Sequence, residues 1–289
     1  MRLALAGLGN MGSAIGERLL EAGYPLTVWN RSVEKTVALT ERGATRAERL
    51  EDLLGGDGDV LLTMLADDSA LRAVAGGALP GARPGTTLID LSTVSPEASL
   101  DVAAAAETAG VGFLRAPVSG NPTVVRGGSL TLIVSGPEQA YRRSKPVLEA
   151  IGPTLYYVGD SEQARVVKLA LQIMIGGTAE LIAEALTLAE AGDVDPRTLL
   201  EVMANSAAGS PFVRYKMEPL LAGDYSATFT TEMMRKDLEL IGDFARGHDL
   251  PLPLVATLSE AIDEAIAAGY ADRDFMALYL SLKRQAQLE

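Results

Sequence analysis

The chain has 289 residues, enough for two domains with separate cores. Its 38 acidic residues against 25 Lys and Arg give a formal net charge of −13, which leaves no basic face for a nucleic acid. Cysteine is absent, so disulfides, thiolate zinc sites and cysteine nucleophiles are excluded, and the one histidine rules out a histidine-rich metal site. That residue, His248, sits in the polar run Arg246-Gly247-His248-Asp249 and reads as a loop or helix-end residue. No metal is expected.

The first apolar run, Leu3-Ala4-Leu5-Ala6, leads directly into Gly7-Leu8-Gly9-Asn10-Met11-Gly12. A G-x-G-x-x-G turn between a strand and a helix builds a phosphate site from backbone. The first glycine takes the tight turn, the second leaves room for a pyrophosphate, and the third lets the helix lie close to the strand. The helix that follows, with Ala14, Ile15, Leu19 and Leu20 on one side and a stop at Gly23, points its positive N-terminus at that site. Leu26 to Asn30 reads as a second strand, Ser32 to Glu41 as a helix, and Val60 to Leu65 as a strand apolar on both faces. Thr86 to Leu91 is a further strand, and Pro96 to Ala109 a helix. Gly112 to Pro117 and Leu130 to Ser135 are strands on either side of a turn-rich stretch from Ser119 to Ser129, and Leu155 to Val158 is the last strand. The alternation predicts an α/β, doubly wound parallel sheet of Rossmann type over residues 1–160.

After Gly159-Asp160 the pattern becomes wholly helical. One long helix is predicted from Ser161 to Ala191, broken only at Gly176-Gly177. Helices follow at Pro196 to Asn205, Phe212 to Leu221, Thr230 to Gly247, Leu252 to Ala268 and Phe275 to Arg284. Residues 161–289 are therefore expected to form an all-α domain for substrate and self-association. The apolar stretch Val166 to Leu188 carries Lys168, Gln172, Glu180 and Glu184, and reads as a buried helix of a cytoplasmic protein and not as a membrane span. No secretory signal is expected, since the chain starts straight into a strand. Leu181, Leu186 and Leu188 on the long helix have few obvious partners within one subunit, which predicts a homodimer or homotetramer.

At the end of the second strand, where an NAD site usually carries Asp or Glu, stands Asn30, followed by Arg31, Ser32 and Lys35. A neutral amide beside two cations suits a ribose 2′-phosphate, so NADP is expected over NAD. The proton donor or acceptor must come from Lys, Tyr, Asp or Glu. Lys168 stands in Val166-Val167-Lys168-Leu169-Ala170-Leu171. An ammonium among so many apolar residues is costly unless it faces a cleft, and a lysine on the solvated stripe of an amphipathic helix is the plain alternative.

Five separated segments resemble the β-hydroxyacid dehydrogenase family in that family's order. They are Leu5 to Gly12, Asp90-Leu91-Ser92-Thr93 with Pro96, Ala116-Pro117-Val118-Ser119-Gly120, Lys168, and Lys236-Asp237-Leu238. The family includes 3-hydroxyisobutyrate dehydrogenase and the glyoxylate and succinic-semialdehyde reductases. The resemblance implies Lys168 as general acid in reduction and general base in oxidation, and Ser119 and Gly120 with Asn121 as the holder of a substrate carboxylate. It also implies Thr93 on the nicotinamide side, Leu65-Ala66 along the cofactor, Lys236 as a cleft lysine near the cofactor, and Gln172 and Asp237 beside the substrate. The implied substrate is a small three- or four-carbon hydroxy acid or aldehyde acid. Three departures stand out. Arg115 replaces the Asp common before Ala-Pro-Val-Ser-Gly, Asn121 replaces a glycine, and Leu171 and Gln172 stand where asparagines are common. Competing readings are an imine reductase, which Lys168 disfavours, and a cofactor-binding scaffold without turnover.

Overall fold

The computed structural model describes residues 1–55 and 59–288, in two compact units, Met1–Lys168 and Leu169–Glu289. In chain order the first unit contains β1 (Leu3–Ala6), α1 (Asn10–Glu21), β2 (Leu26–Trp29), α2 (Val37–Thr40), β3 (Thr45–Arg46), β4 (Val60–Thr63) and α3 (Asp68–Ala78). It continues with β5 (Thr87–Asp90), α4 (Pro96–Thr108), β6 (Gly112–Arg115), β7 (Val118–Ser119), α5 (Pro122–Arg126), β8 (Thr131–Ser135), α6 (Glu138–Ile151) and β9 (Thr154–Gly159). The long helix α7 (Gln163–Ala191) contributes to both units. It is followed by α8 (Pro196–Asn205), α9 (Pro211–Ala222), α10 (Thr231–Gly247), α11 (Pro253–Ala265) and α12 (Leu278–Gln285).

The strand order is β3-β2-β1-β4-β5-β6-β8-β7, with β9 also paired to β8. β1 lies between β2 and β4, all parallel, so the chain departs from β1 toward opposite edges of the sheet. That switch point opens a crevice beyond the strand C-termini, where ligands of such sheets bind. Period-2 alternation sends side chains to both faces, and both are buried. Leu3, Leu5, Val60 and Leu62 pack with Ile15, Leu19, Val147 and Leu148, while Ala4, Ala6, Leu61 and Leu88 pack with Leu71, Val74 and Val102.

The sheet departs from the all-parallel expectation at its far edge. β8 runs antiparallel to β6 and β7, and β9 pairs parallel with β8, so the last two strands are reversed. The stretch read as turn-rich, 119–129, holds β7 and the short α5; after Gly120, at φ +142°, it returns the chain as an antiparallel neighbour without a crossover helix. The helix expected from Ser32 to Glu41 is broken into a 3₁₀ turn at Val33–Thr36 and the single-turn α2. Thr36 and Thr40 each donate a hydroxyl hydrogen bond to the carbonyl three residues back, which tightens both turns. α3 and α6 lie outside the helices that the sequence patterns predict.

In the helical unit α7 runs without a break through Gly176-Gly177. Gly176 faces Met234 of α10 and Leu258 of α11, and a Cβ there would stand 2.7 Å from Leu258 Cδ2. The helix expected to reach Ala268 ends instead at Ala265, and a π-turn at Ile266–Tyr270 closes on Gly269 with φ +93°. α7 is not buried all round: its most apolar window, of mean hydropathy 1.6 and long enough to cross a bilayer, is 39% buried. Ile182, Ala183 and Leu186 lie in the core with Leu200, Leu238, Leu258 and Phe275, so Leu186 has partners within its own unit, contrary to expectation. Met174, Leu181 and Leu188, seven residues apart, are 66%, 65% and 77% exposed.

A buried ion pair and a buried carboxylate stand out in this unit. Lys216 on α9 donates to both oxygens of Asp274, at 2.7 and 2.8 Å, below the rings of Tyr215 and Phe275 at 5.1 and 5.0 Å. Asp274 also accepts from the Thr228 hydroxyl at 2.9 Å and from Met276 N–H at 3.1 Å. On α7, Glu180 is buried, and loss of water pushes its carboxyl up to about 7, with Glu184 and Glu264 adding like-charge repulsion. Because the folded value lies above the ordinary 4.5, the stability Glu180 contributes is fully present below about pH 4.5 and is lost as pH rises through 7. Glu180→Gln is expected to leave the melting temperature at pH 5 nearly unchanged and to raise stability at pH 8 by on the order of 1–3 kcal/mol. Equal pH dependence of melting in both proteins would contradict this.

Candidate active site

Gly7 adopts φ +94°, and a Cβ there would stand 2.2 Å from the carbonyl oxygen of Met64, just after β4, so only glycine makes this turn between β1 and α1. Gly12 brings α1 against the turn, since its Cβ would fall 1.9 Å from Gly7 O. Gly9 is the opposite case: nothing lies within 4 Å of where its Cβ would be. As N-cap of α1 it offers no side-chain acceptor, so the first-turn N–H groups keep their capacity for an outside anion. Leu8 is buried, Met11 is half-buried, and Asn10 is exposed on the same turn. These residues fit a dinucleotide pyrophosphate.

The end of β2 is tied to that loop. Asn30 Oδ1 accepts from Leu8 N–H at 2.9 Å, and Nδ2 donates to the Ser32 carbonyl at 3.0 Å. The Asn30 amide thus braces the glycine turn and the segment that follows. Arg31 and Lys35 are exposed, Ser32 half-buried, and among the described residues no acidic oxygen pairs with either cation. Arg31 and Lys35 thus stand on either side of Ser32 in the chain, with the exposed Glu34 next to Lys35.

A polar network joins the loops after β4 and β5 to the first turn of α7. Leu65 N–H donates to Ser92 Oγ at 2.8 Å, and Ser92 Oγ donates to Asp90 Oδ1 at 2.6 Å, as does the Thr63 hydroxyl. Arg165, 1% exposed, donates from Nη2 to Asp90 Oδ2 at 2.5 Å, from Nη1 to the Ser92 carbonyl at 2.7 Å and from Nε to Ser99 Oγ at 3.3 Å. Lys168 follows Arg165 by three residues on the same helix and is half-buried. Leu65, Ala66 and Thr93, the expected cofactor-side residues, lie on the two bonded loops. Arg165 escaped the sequence reading, although a second cation one turn before Lys168 in an apolar run was the available signal.

Arg115, where the family usually has Asp, donates from Nε to Glu162 Oε1 at 2.7 Å, beside α7; both residues are screened from water. Burial pulls the Arg115 guanidinium down from its ordinary value, and Glu162 opposes the shift. Ser135 at the end of β8 donates to the Ser161 carbonyl at 2.6 Å and accepts from Ala164 N–H at 3.1 Å. Beyond Arg115, Ser119 is half-buried and Gly120 exposed. Asn121 caps α5, accepting from Val124 N–H at 3.0 Å, which gives this departure from glycine a local structural reason.

In the helical unit, Gln172 Nε2 donates to Asp237 Oδ2 at 2.5 Å and Lys236 Nζ lies 3.0 Å from Asp237 Oδ1. Asp237 is wholly buried, so its geometry is that of a group orienting Gln172 and Lys236. His248 caps α10, exposed and stacked on Phe244. Among the described residues no group of three or more His, Cys, Asp or Glu could hold a metal ion.

A glycine turn at the switch point of a doubly wound sheet, joined to a lysine-bearing helix and an all-α unit, defines the nicotinamide-dependent two-domain dehydrogenases as a class. Residues 2–159 match the family model for the NAD binding domain of 6-phosphogluconate dehydrogenase. Residues 163–282 match the one for the NAD-binding domain of NADP-dependent 3-hydroxyisobutyrate dehydrogenase. The chain belongs to the β-hydroxyacid dehydrogenase family. It is 28% identical to 2-(hydroxymethyl)glutarate dehydrogenase of Eubacterium barkeri, over 96% of this chain and 93% of that one. It is 31% identical to the cytokine-like nuclear factor N-PAC of Xenopus tropicalis over 96% of its own length, but spans only 52% of that protein, about half. The crystal structure of 3-hydroxyisobutyrate dehydrogenase (ygbJ) from Salmonella typhimurium superposes with a TM-score of 0.89 at 28% identity, covering 97% and 99% of the two chains.

Proposed function

We propose that this protein is an NADP-dependent oxidoreductase acting on a small three- or four-carbon hydroxy acid or aldehyde acid, with Lys168 as general acid and base. The bound dinucleotide supplies or accepts the hydride. In reduction the Lys168 ammonium gives a proton to the substrate carbonyl oxygen, and in oxidation the neutral amine takes the hydroxyl proton. Ser119, Gly120 and Asn121 hold the substrate carboxylate, and Gln172, oriented by Asp237, offers an amide to the substrate. Gly7 to Gly12 hold the pyrophosphate, Leu65, Ala66 and Thr93 lie along the dinucleotide, and Lys236 adds a positive charge near it. The observation that carries this reading is the bonding of Lys168's helical turn to the Leu65 and Ser92 loops beside a glycine turn with an open Gly9. Mixing the protein with NADPH and a panel of aldehyde acids tests it. Consumption of NADPH with at least one acid is expected; tight NADPH binding with no turnover across the panel would support the scaffold reading instead.

The preference for NADP rests on Arg31 and Lys35 at the end of β2, with Ser32 between them and Asn30 bracing the turn. Charge-assisted hydrogen bonds to phosphate contribute roughly 1.5–3 kcal/mol each, so Arg31→Ala should weaken NADPH binding about tenfold or more while NADH affinity stays within about twofold. Equal losses for both cofactors would contradict the role.

Self-association is inferred from α7. Met174, Leu181 and Leu188 form an exposed apolar line, which at Leu188 meets a groove of about 370 Å³ lined by Thr187, Ala191, Leu282, Ala286 and Leu288, with Glu184 as its one charged residue. A second copy offering the same line would bury both faces about a twofold axis. Sedimentation should give a dimer or tetramer at micromolar concentration and smaller species for Leu181→Asp/Leu188→Asp; monomer in the unaltered protein would contradict it.

A further inference from the structure

Arg165 is a fully buried cation with no part in proton transfer, and its bonds converge on a single place. Its Nη2 holds Asp90 and its Nη1 holds the Ser92 carbonyl, the residue before Thr93. Asp90 in turn receives Ser92 Oγ, which receives Leu65 N–H. One unbroken chain of hydrogen bonds therefore runs from the loop after β4, through the loop after β5, to the helical turn that ends in Lys168.

We propose that Arg165 is a positioning residue: it fastens the Lys168 turn to the Leu65 and Ser92–Thr93 loops so that proton donor and cofactor-side loops hold one geometry. The proposal rests on the reading of Lys168 as acid and base. Three features of the network argue for it. A planar guanidinium reaches carboxylate, carbonyl and hydroxyl at once, which fixes direction as well as distance; a lysine ammonium at this site would keep the carboxylate and lose the fork. The pair is wholly screened from water, and a buried pair of this kind adds little net stability over apolar residues of like volume, while it does specify one arrangement of the segments that carry it. Two further ties, Arg115 to Glu162 and Ser135 to the Ser161 carbonyl and Ala164 N–H, anchor the same turn to β6 and β8, whereas the Arg165 fork reaches the loops that carry Leu65 and Thr93. Misplacing reacting groups by an ångström costs about a hundredfold in rate, so loosening this link should be read in turnover and not in binding.

The test compares the unaltered protein with Arg165→Lys, which keeps the charge beside Asp90, and with Arg165→Met/Asp90→Asn, which removes both charges together. In Arg165→Lys, kcat should fall about tenfold or more with substrate KM and melting temperature nearly unchanged, and kcat should fall further in the double variant. Amide hydrogen exchange should rise together at residues 65–66, 92–93 and 164–168 and stay unchanged in β1 and β2. Wild-type kcat in a folded Arg165→Lys protein, or faster exchange confined to the helix, would overturn the proposal. If the double variant does not fold, Arg165→Lys decides alone. Should the unaltered protein turn over no acid while exchange rises jointly at all three segments, the dehydrogenase reading fails and the mechanical coupling stands.

Discussion

Lys168→Ala should lower kcat by about 10²–10⁴-fold, the usual span for losing a general acid, while NADPH affinity by fluorescence titration stays within about threefold. The asymmetry follows from where the parts sit. The cofactor's phosphates are assigned to the glycine turn and the Arg31 segment, on elements other than Lys168's helix, whereas the proton transfer is assigned to Lys168 itself. The one histidine caps α10 far along the chain, there is no cysteine, and Tyr225 and Tyr279 are both pushed upward by burial in the helical core. Activity of Lys168→Ala within about threefold of the unaltered enzyme would remove lysine from the mechanism.

Asp274→Ala should strongly destabilise the fold. It strips Lys216 of its carboxylate partner, in a setting that already pulls the ammonium down from its ordinary value by burial, and it leaves the buried Met276 N–H without its acceptor. Breaking a buried pair from one side costs about 3–5 kcal/mol, which for a chain of this size corresponds to a fall in melting temperature of roughly 10 °C. Lys216→Met/Asp274→Asn, which removes both charges, should recover most of the loss. A drop of under about 1 kcal/mol in Asp274→Ala, followed by urea unfolding, would show the pair to be dispensable.

What could be read from the residues divides along physical lines. The glycine turn was legible because its function is enforced by backbone sterics at Gly7 and Gly12 and by vacancy at Gly9, all local to six residues. Parallel strands buried on both faces announce themselves as unbroken apolar runs, as in Leu61 and Leu62. Strand direction has no such signature, so the reversal of β8 and β9 was hidden. α3 carries Gly76 and Gly77 and α6 carries Pro146, so both present breaker residues that packing overrides. On α7, alanine and leucine occur around most of the circumference; periodicity could separate Leu181 and Leu188 from the core but misplaced Leu186. The Arg165 network depends on which strand ends meet which helical turn, and residues 63, 65, 90, 92 and 165 share no spacing that a linear reading could detect. Lys168 stands out in the sequence as an ammonium in an apolar run, but that pattern equally suits a solvated lysine, and its role as acid and base comes from the resemblance.

The most direct measurement of the central claim is a crystal structure with NADP and a bound hydroxy acid. The Lys168 Nζ should stand about 2.6–3.2 Å from the substrate oxygen that exchanges the proton, on the bonded turn held by Arg165. A substrate oxygen bonded to some other group, with the Lys168 side chain turned to solvent, would contradict it.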